Sequence, residues 1–392
     1  MTSTMVLTAG VTPRDRREQV GLASLAGMVA AAPLSIAVSQ ILFTVAALCW
    51  FAAHVSRRER LDAPRFFWPL VGYAALTLLA AGYSRDPIAS LIDCKQLLLF
   101  LLVPVVYDFA RGARARTLLT IVITVGAVSA LVGLVQYAIL NYGSERRLQG
   151  TLSHWMTYSG TLMLVICAAV GRVLHDERDR TWAVIVIPAL IASLMLSFTR
   201  SAMVGAAAGV GVLLLIRDLR LLGILPIVTA LLISIAPAQV TGRIYSTFDK
   251  NDPTSRDRVA MLQAGVEMVK DHPLTGVGPE MVGRVYPDYR VAAAVQENNM
   301  HLHNVPMQIA AERGVPALVM WLWFVGAVII GLRPLLRRGR DRVFAAIAAG
   351  ALAAMITAGM FEYNFGDSEF LMLFLILLTL PFAAERDGGV SE

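Results

Sequence analysis

Two histidines one residue apart open the segment His301-Leu302-His303-Asn304-Val305-Pro306. Proline favours a first helical turn, so Asn304 or Val305 is expected to cap a helix that runs through Glu312 and stops at Gly314, with Pro316 beyond. His303 then stands just ahead of a helix N-terminus, where the positive dipole end favours a neutral ring able to take a proton. A zinc-binding His-x-His and a plain structural histidine compete with this reading, and no third metal ligand stands at standard spacing. Arginine is the second reactive type. Arg200 sits in Ser197-Phe198-Thr199-Arg200-Ser201, between two apolar runs with almost no loop. Held at that depth it needs a partner, which points to a functional site; an interfacial snorkelling side chain is the alternative. Arg256 and Arg258 fall in the first turn of a predicted amphipathic helix, where the dipole disfavours cations. They suit an anion shared with the helix N-terminus, or are simply two exposed arginines. The turn 361–369 carries Glu362, Asp367 and Glu369 beside three aromatics. These acids could pair with the arginines or orient a sugar.

The elements that must position these groups are apolar helices. The chain is 57% hydrophobic and 16% charged, against roughly 25% charged in soluble proteins. The charges punctuate long apolar runs, as in a chain that crosses a bilayer repeatedly. Pro33 divides the run 20–55 into two spans, the first short. Further spans are expected at 66–82, 90–109, 117–140, 155–173, 181–198, 201–216, 221–236, 315–332, 343–360 and 369–383, about twelve in all. The first span is expected to serve as its own targeting signal, since no cleavage site follows it. Cys49, Cys94 and Cys167 lack metal or redox spacing and read as small core hydrophobes.

Alternate loops hold 21 of the 34 basic residues, which places those loops and both termini in the cytoplasm. These basic residues lie in short turns where topology explains them, so the net charge of +6 does not point to nucleic acid. The chain divides into spans over 1–236, an external loop over 237–314 that carries the site, and spans with a cytoplasmic tail over 315–392. Within the loop, Asp252 to Asp271 reads as a helix capped by Thr254 or Ser255, with Val259, Leu262, Val266 and Val269 as its apolar stripe. His272-Pro273 ends it, and Gly276-Val277-Gly278-Pro279 turns tightly.

The stretches Thr254 to Pro279 and His301 to Pro316 resemble the O-antigen ligase and O-antigen polymerase superfamily. The shared marks are an arginine opening an amphipathic helix, Pro-x-x-Gly-x-Gly, and His-Asn before a helix ending in Gly-x-Pro. Ser197–Ser201 and Arg146-Arg147-Leu148-Gln149-Gly150-Thr151 also match. The resemblance implies an all-α integral membrane protein, GT-C-like, with one large helical periplasmic loop, in the bacterial inner membrane. It implies an inverting, metal-independent glycosyltransferase without cofactor. Such an enzyme moves a polysaccharide from undecaprenyl pyrophosphate to a sugar hydroxyl of lipid A–core oligosaccharide, among membrane lipids, in lipopolysaccharide assembly. The family's histidine falls on His303 and its arginines on Arg147, Arg200 and Arg258. Arg258 fits better than Arg256, because its 15-residue separation from Pro273 is the usual one. His301, Arg256, Arg146, Glu362 and Asp367 are secondary candidates. The chemistry agrees: a departing lipid pyrophosphate needs cationic stabilisation, planar guanidinium groups supply it, and the acceptor hydroxyl needs a base. A polymerase using the same donor is the nearest alternative. A secondary transporter is another, disfavoured because no internal repeat or interrupted mid-span helix is evident.

Overall fold

The computed structural model describes residues 15–140, 147–152, 154–176, 180–235, 238–245, 252–338 and 342–386, and the regular elements among them are all helical. Helices α1 (Arg16–Ala31) and α2 (Ile36–Arg57) pack as a hairpin. Asp15 caps the first by accepting from Glu18 N, and Ser35 caps the second by accepting from Val38 N. The long apolar run is therefore divided around Pro33, as expected. There follow α3 (Phe67–Gly82), α4 (Pro87–Asp93), a 3₁₀ stretch at Cys94–Leu101, α5 (Leu102–Phe109), α6 (Ala113–Leu140), α7 (Trp155–His175), α8 (Arg180–Leu196), α9 (Arg200–Arg217) and α10 (Ile224–Ile235). The interruption holds α11 (Ala238–Tyr245), α12 (Pro253–Asp271) and α13 (Val282–Tyr289). The chain closes with α14 (Val305–Arg338), α15 (Arg342–Gly359) and α16 (Ser368–Ala384).

Each expected apolar segment falls on a helix. Among the described residues seven helical segments are long and apolar enough to cross a membrane, and four shorter apolar ones accompany them. The span expected at 90–109 falls within one helical segment, Pro87–Phe109, whose middle winds as the 3₁₀ stretch between α4 and α5. Pro104 has no N–H to give to Phe100, which loosens the turn before it.

Helices α7 and α15 form the centre of the bundle, each 72% buried over its apolar window. Small residues let α9 approach α15: a Cβ added at Gly209 would lie 2.7 Å from the Gly350 carbonyl oxygen, and one at Gly205 2.9 Å from that of Ala354. Outward, Ile41, Leu131, Ile139, Ile227, Ile235 and Ile330 are each more than half exposed. A surface so apolar fits hydrocarbon and not water. Two of the three cysteines, Cys94 and Cys167, are buried, and Cys49 is partly so.

The basic loops gather at one end of the bundle. They do more than set topology, which corrects the sequence reading. Arg111, Arg114 and Arg172 are buried. Arg114 donates to Glu18 at 2.7 Å, and Glu18 lies 3.5 Å from Arg57. Arg111 reaches Asp108 at 3.0 Å, and Arg172 donates to Thr120 Oγ1 at 2.8 Å. Packing of helix ends removes these groups from water, so they must be satisfied by one another. Glu18→Ala should therefore lower stability by about 3 kcal/mol, because it leaves a buried guanidinium without its carboxylate; an unfolding titration in mixed micelles checks this.

Candidate functional site

The site is built where α12, α13 and the start of α14 share a second core of Met261, Ala264, Met268, Met281, Val282 and Tyr286 with Leu302 and Ala311. Two details of α12 differ from expectation. Its N-cap is Asp252, which accepts from Ser255 N at 3.0 Å, with Pro253 opening the helix. Its buried face runs through Asp257, Ala260, Met261, Ala264 and Met268, while Val259 and Val266 are exposed. Small and flexible residues face in because α14 comes close: a Cβ at Gly265 would meet Met307 Cγ at 2.7 Å. Leu262 and Val269 are half-buried, Val269 against the second core, so the expected stripe straddles the edge of the buried face.

The glycine pattern has a backbone cause. Val277 N donates to Ala311 O at 2.8 Å and Gly278 N to Glu312 O at 3.0 Å. A Cβ at Gly276 would sit 2.3 Å from Glu312 C, and one at Gly314 2.2 Å from Leu274 O. Gly314 breaks α14 at φ 79°, ψ 167°, so the first helical stretch ends there, as the sequence predicts.

Asn304 caps α14 by accepting from Met307 N at 2.9 Å, and its Nδ2 donates to Met360 O at 3.0 Å. That second bond draws the 360–362 turn onto the His-x-His loop. His303, held at φ 49°, then places Nδ1 3.0 Å from Glu362 Oε2 and 3.1 Å from Oε1. Backbone strain of this kind persists where surrounding contacts over-determine it. His301 Nε2 lies 3.7 Å from Glu362 Oε1. A third metal-capable ligand is therefore present, contrary to expectation. It arrives from a distant turn, where sequence spacing does not show it. Glu362 pairs with histidines, a partner that neither sequence reading of these acids, pairing with arginines or orienting a sugar, names. Burial would raise the Glu362 carboxyl, but the His303 hydrogen bond and the charges of both imidazoles hold it below its ordinary value. Burial, with His303 beside it, lowers His301. An ionised carboxylate only accepts, so Nδ1 of His303 carries a hydrogen, and whenever the ring is neutral Nε2 is the acceptor.

Beside this pair opens a polar cleft of about 380 Å³, lined among others by Asp93, Glu280, His301, Arg313, Glu362 and Asp367. Sequence reading missed several of these groups. Arg313 donates to Glu312 at 2.5 Å and reaches Asp93 at 3.8 Å. Glu312 in turn accepts from Glu280 N at 3.1 Å. The available signal was an adjacent acid and base at the mouth of an apolar run. At the rim, burial pushes Asp367 up to about 8, with Glu369 reinforcing the rise and Thr157 opposing it. A carboxyl raised in the folded state contributes stability that is full below its ordinary value of 3.8 and lost as pH rises through 8. The melting temperature should accordingly fall between about pH 4 and 8, and Asp367→Asn, which does not ionise, should flatten that slope.

The arginines are distributed. Arg147 stacks 5.3 Å over the Trp155 ring, next to His154 on the cleft wall. Arg200 Nη2 lies 3.5 Å from Asp252 Oδ1, so the start of α9 is tied to the cap of α12. It also heads an apolar groove of about 420 Å³ between α8, α9 and α10, lined by Leu194, Met203, Val228 and Leu232 among others. Arg258 is partly buried in the second turn of α12, and Arg256 is exposed. Neither Arg200 nor Arg258 lines the polar cleft. Arg146 lies outside the described residues.

Fold and site together define a multi-helix apolar protein with a polar cleft and an arginine-headed groove at the end away from its basic loops. Residues 183–322 match the family model described as O-antigen ligase, so the resemblance read from the motifs is borne out over that segment. The match includes Arg200, Arg258 and His303, and excludes Arg147 and Glu362. The family implies a polysaccharide or lipid substrate in a membrane setting. No curated protein matches the chain.

Proposed function

We propose that this protein is an O-antigen ligase, an inverting, metal-independent glycosyltransferase of lipopolysaccharide assembly. It transfers a glycan from undecaprenyl pyrophosphate to a sugar hydroxyl of lipid A–core. The observation that carries this reading is the His303–Glu362 pair at the edge of a polar cleft, in a chain otherwise built of apolar helices. Glu362 fixes the ring so that Nε2 takes the proton of the attacking hydroxyl. Arg200 receives the pyrophosphate at the head of the apolar groove, which accepts the polyprenyl tail. Arg258, on the helix whose cap pairs with Arg200, and Arg147, stacked on Trp155 beside the cleft-lining His154, stabilise charge that develops on the leaving group. Attack from the face opposite the pyrophosphate inverts the anomeric carbon. The helices cross the inner membrane about twelve times with both termini cytoplasmic, and the 237–314 segment faces the periplasm.

Purified protein, supplied with carrier-linked glycan and lipid A–core in excess chelator, should yield glycosylated lipid A–core. Elongation of carrier-linked glycan instead would establish the polymerase. Solute movement by reconstituted protein without any transfer would establish the transporter.

A further inference from the structure

Two imidazoles and one carboxylate converge at the edge of the cleft. Their ligand atoms all lie within 4.8 Å of one another. The Glu362 oxygens are 3.0 Å from His303 Nδ1 and 3.7 Å from His301 Nε2, and the two rings are 4.5 Å apart at 51°. Neighbouring ligands of a tetrahedral ion, with bonds of about 2.0–2.1 Å, stand about 3.3 Å apart. The two Glu362 distances bracket that value, and rotation of the imidazoles, whose ligand nitrogens lie within 4.8 Å, would close the third edge around an ion. His301 and Glu362 also line the cleft, which leaves a fourth position open to water or a hydroxyl. Two nitrogens and one oxygen favour borderline ions such as Zn²⁺ and Co²⁺ over Mg²⁺ and Ca²⁺.

We propose that His301, His303 and Glu362 form an inhibitory site for a divalent transition metal, which switches transfer off by capturing Nδ1 of His303. The inhibitory half rests on the reading of His303 as the base; the binding half does not. The ring holds one proton. When Glu362 accepts the Nδ1–H, that proton is on Nδ1 and Nε2 is free to accept. When an ion bonds to Nδ1, the proton moves to Nε2, no net proton is released, and the ring can no longer accept one there. Glu362 turns from hydrogen-bond acceptor to ligand in the same step. The ion therefore inverts the tautomer that the carboxylate selects.

The test uses the full-length protein in detergent, stripped with chelator and then desalted. Titration with Co²⁺ should give saturable visible absorption at one equivalent per chain, displaced by Zn²⁺ and unaffected by excess Mg²⁺. His301→Ala and Glu362→Gln should each weaken binding at least tenfold while eluting as the native protein does on size exclusion. Zn²⁺ at one equivalent should lower the initial rate of transfer at least tenfold, and chelator should restore it. Absence of saturable absorption, or affinity indifferent to both variants, would overturn the site. Binding that leaves the transfer rate unchanged, or transfer that is lost on stripping and regained with Zn²⁺, would overturn the switch. If stripped protein transfers nothing while Co²⁺ binds as described, the site stands and the assignment as a ligase falls.

Discussion

His303→Ala is expected to lower the turnover of glycan transfer by about a hundredfold or more, the range associated with losing a general base. Apparent affinity for the carrier-linked donor should change little if, as proposed, the donor is held elsewhere, at the arginines and the apolar groove. Glu362→Gln tests the same step through its partner. The glutamine oxygen can still accept from Nδ1, so the loss should be smaller, about tenfold, and again confined to turnover. Asn304→Ala acts one step further back, since Asn304 both caps α14 and bonds Met360 O. Initial-rate measurements over donor concentration read all three. Full activity in His303→Ala would remove the histidine from the mechanism, and a pure loss of donor affinity would recast it as a binding group.

Local rules carried much of the fold. Apolar runs of span length, Pro33 between two of them, and His272-Pro273 after α12 each fell where helix chemistry places them. Three matters needed the third dimension. Glu362 lies 59 residues from His303, and tertiary contacts such as the Asn304–Met360 bond bring their turns together. The buried face of α12 is chosen by a close neighbour that admits alanine and methionine, while the branched valines 259 and 266 face outward. The arginines at the basic end looked like topology signals, yet Arg111, Arg114 and Arg172 are buried structural groups. Charge in a sequence states a sign and leaves its depth open. The glycines of Pro273–Gly278 and Gly314 matched a motif before their cause was visible. The cause is two backbones in contact, which no side-chain pattern encodes.

Arg200→Lys should lower transfer by about tenfold to a hundredfold, since one charge-assisted hydrogen bond is worth about 1.5–3 kcal/mol and lysine does not reproduce the planar fork. The alternative is that Arg200 only ties α9 to the cap of α12 through Asp252. The two roles separate in a double-mutant cycle. If the tie is all that matters, Arg200→Lys and Asp252→Asn should harm stability and activity alike, and the double variant should be no worse than either single one. If Arg200 holds the pyrophosphate, Asp252→Asn should keep most of the activity, because a neutral asparagine still caps α12. Arg200→Lys should then be impaired in either background. The donor distinguishes further. Carrier with a shortened polyprenyl chain loses contacts in the groove lined by Met203, Val228 and Leu232. Its affinity should therefore fall by a similar factor in wild type and in Arg200→Lys, because tail and head group are held by separate parts of one site. An unequal fall would mean that guanidinium and groove do not grip the same molecule.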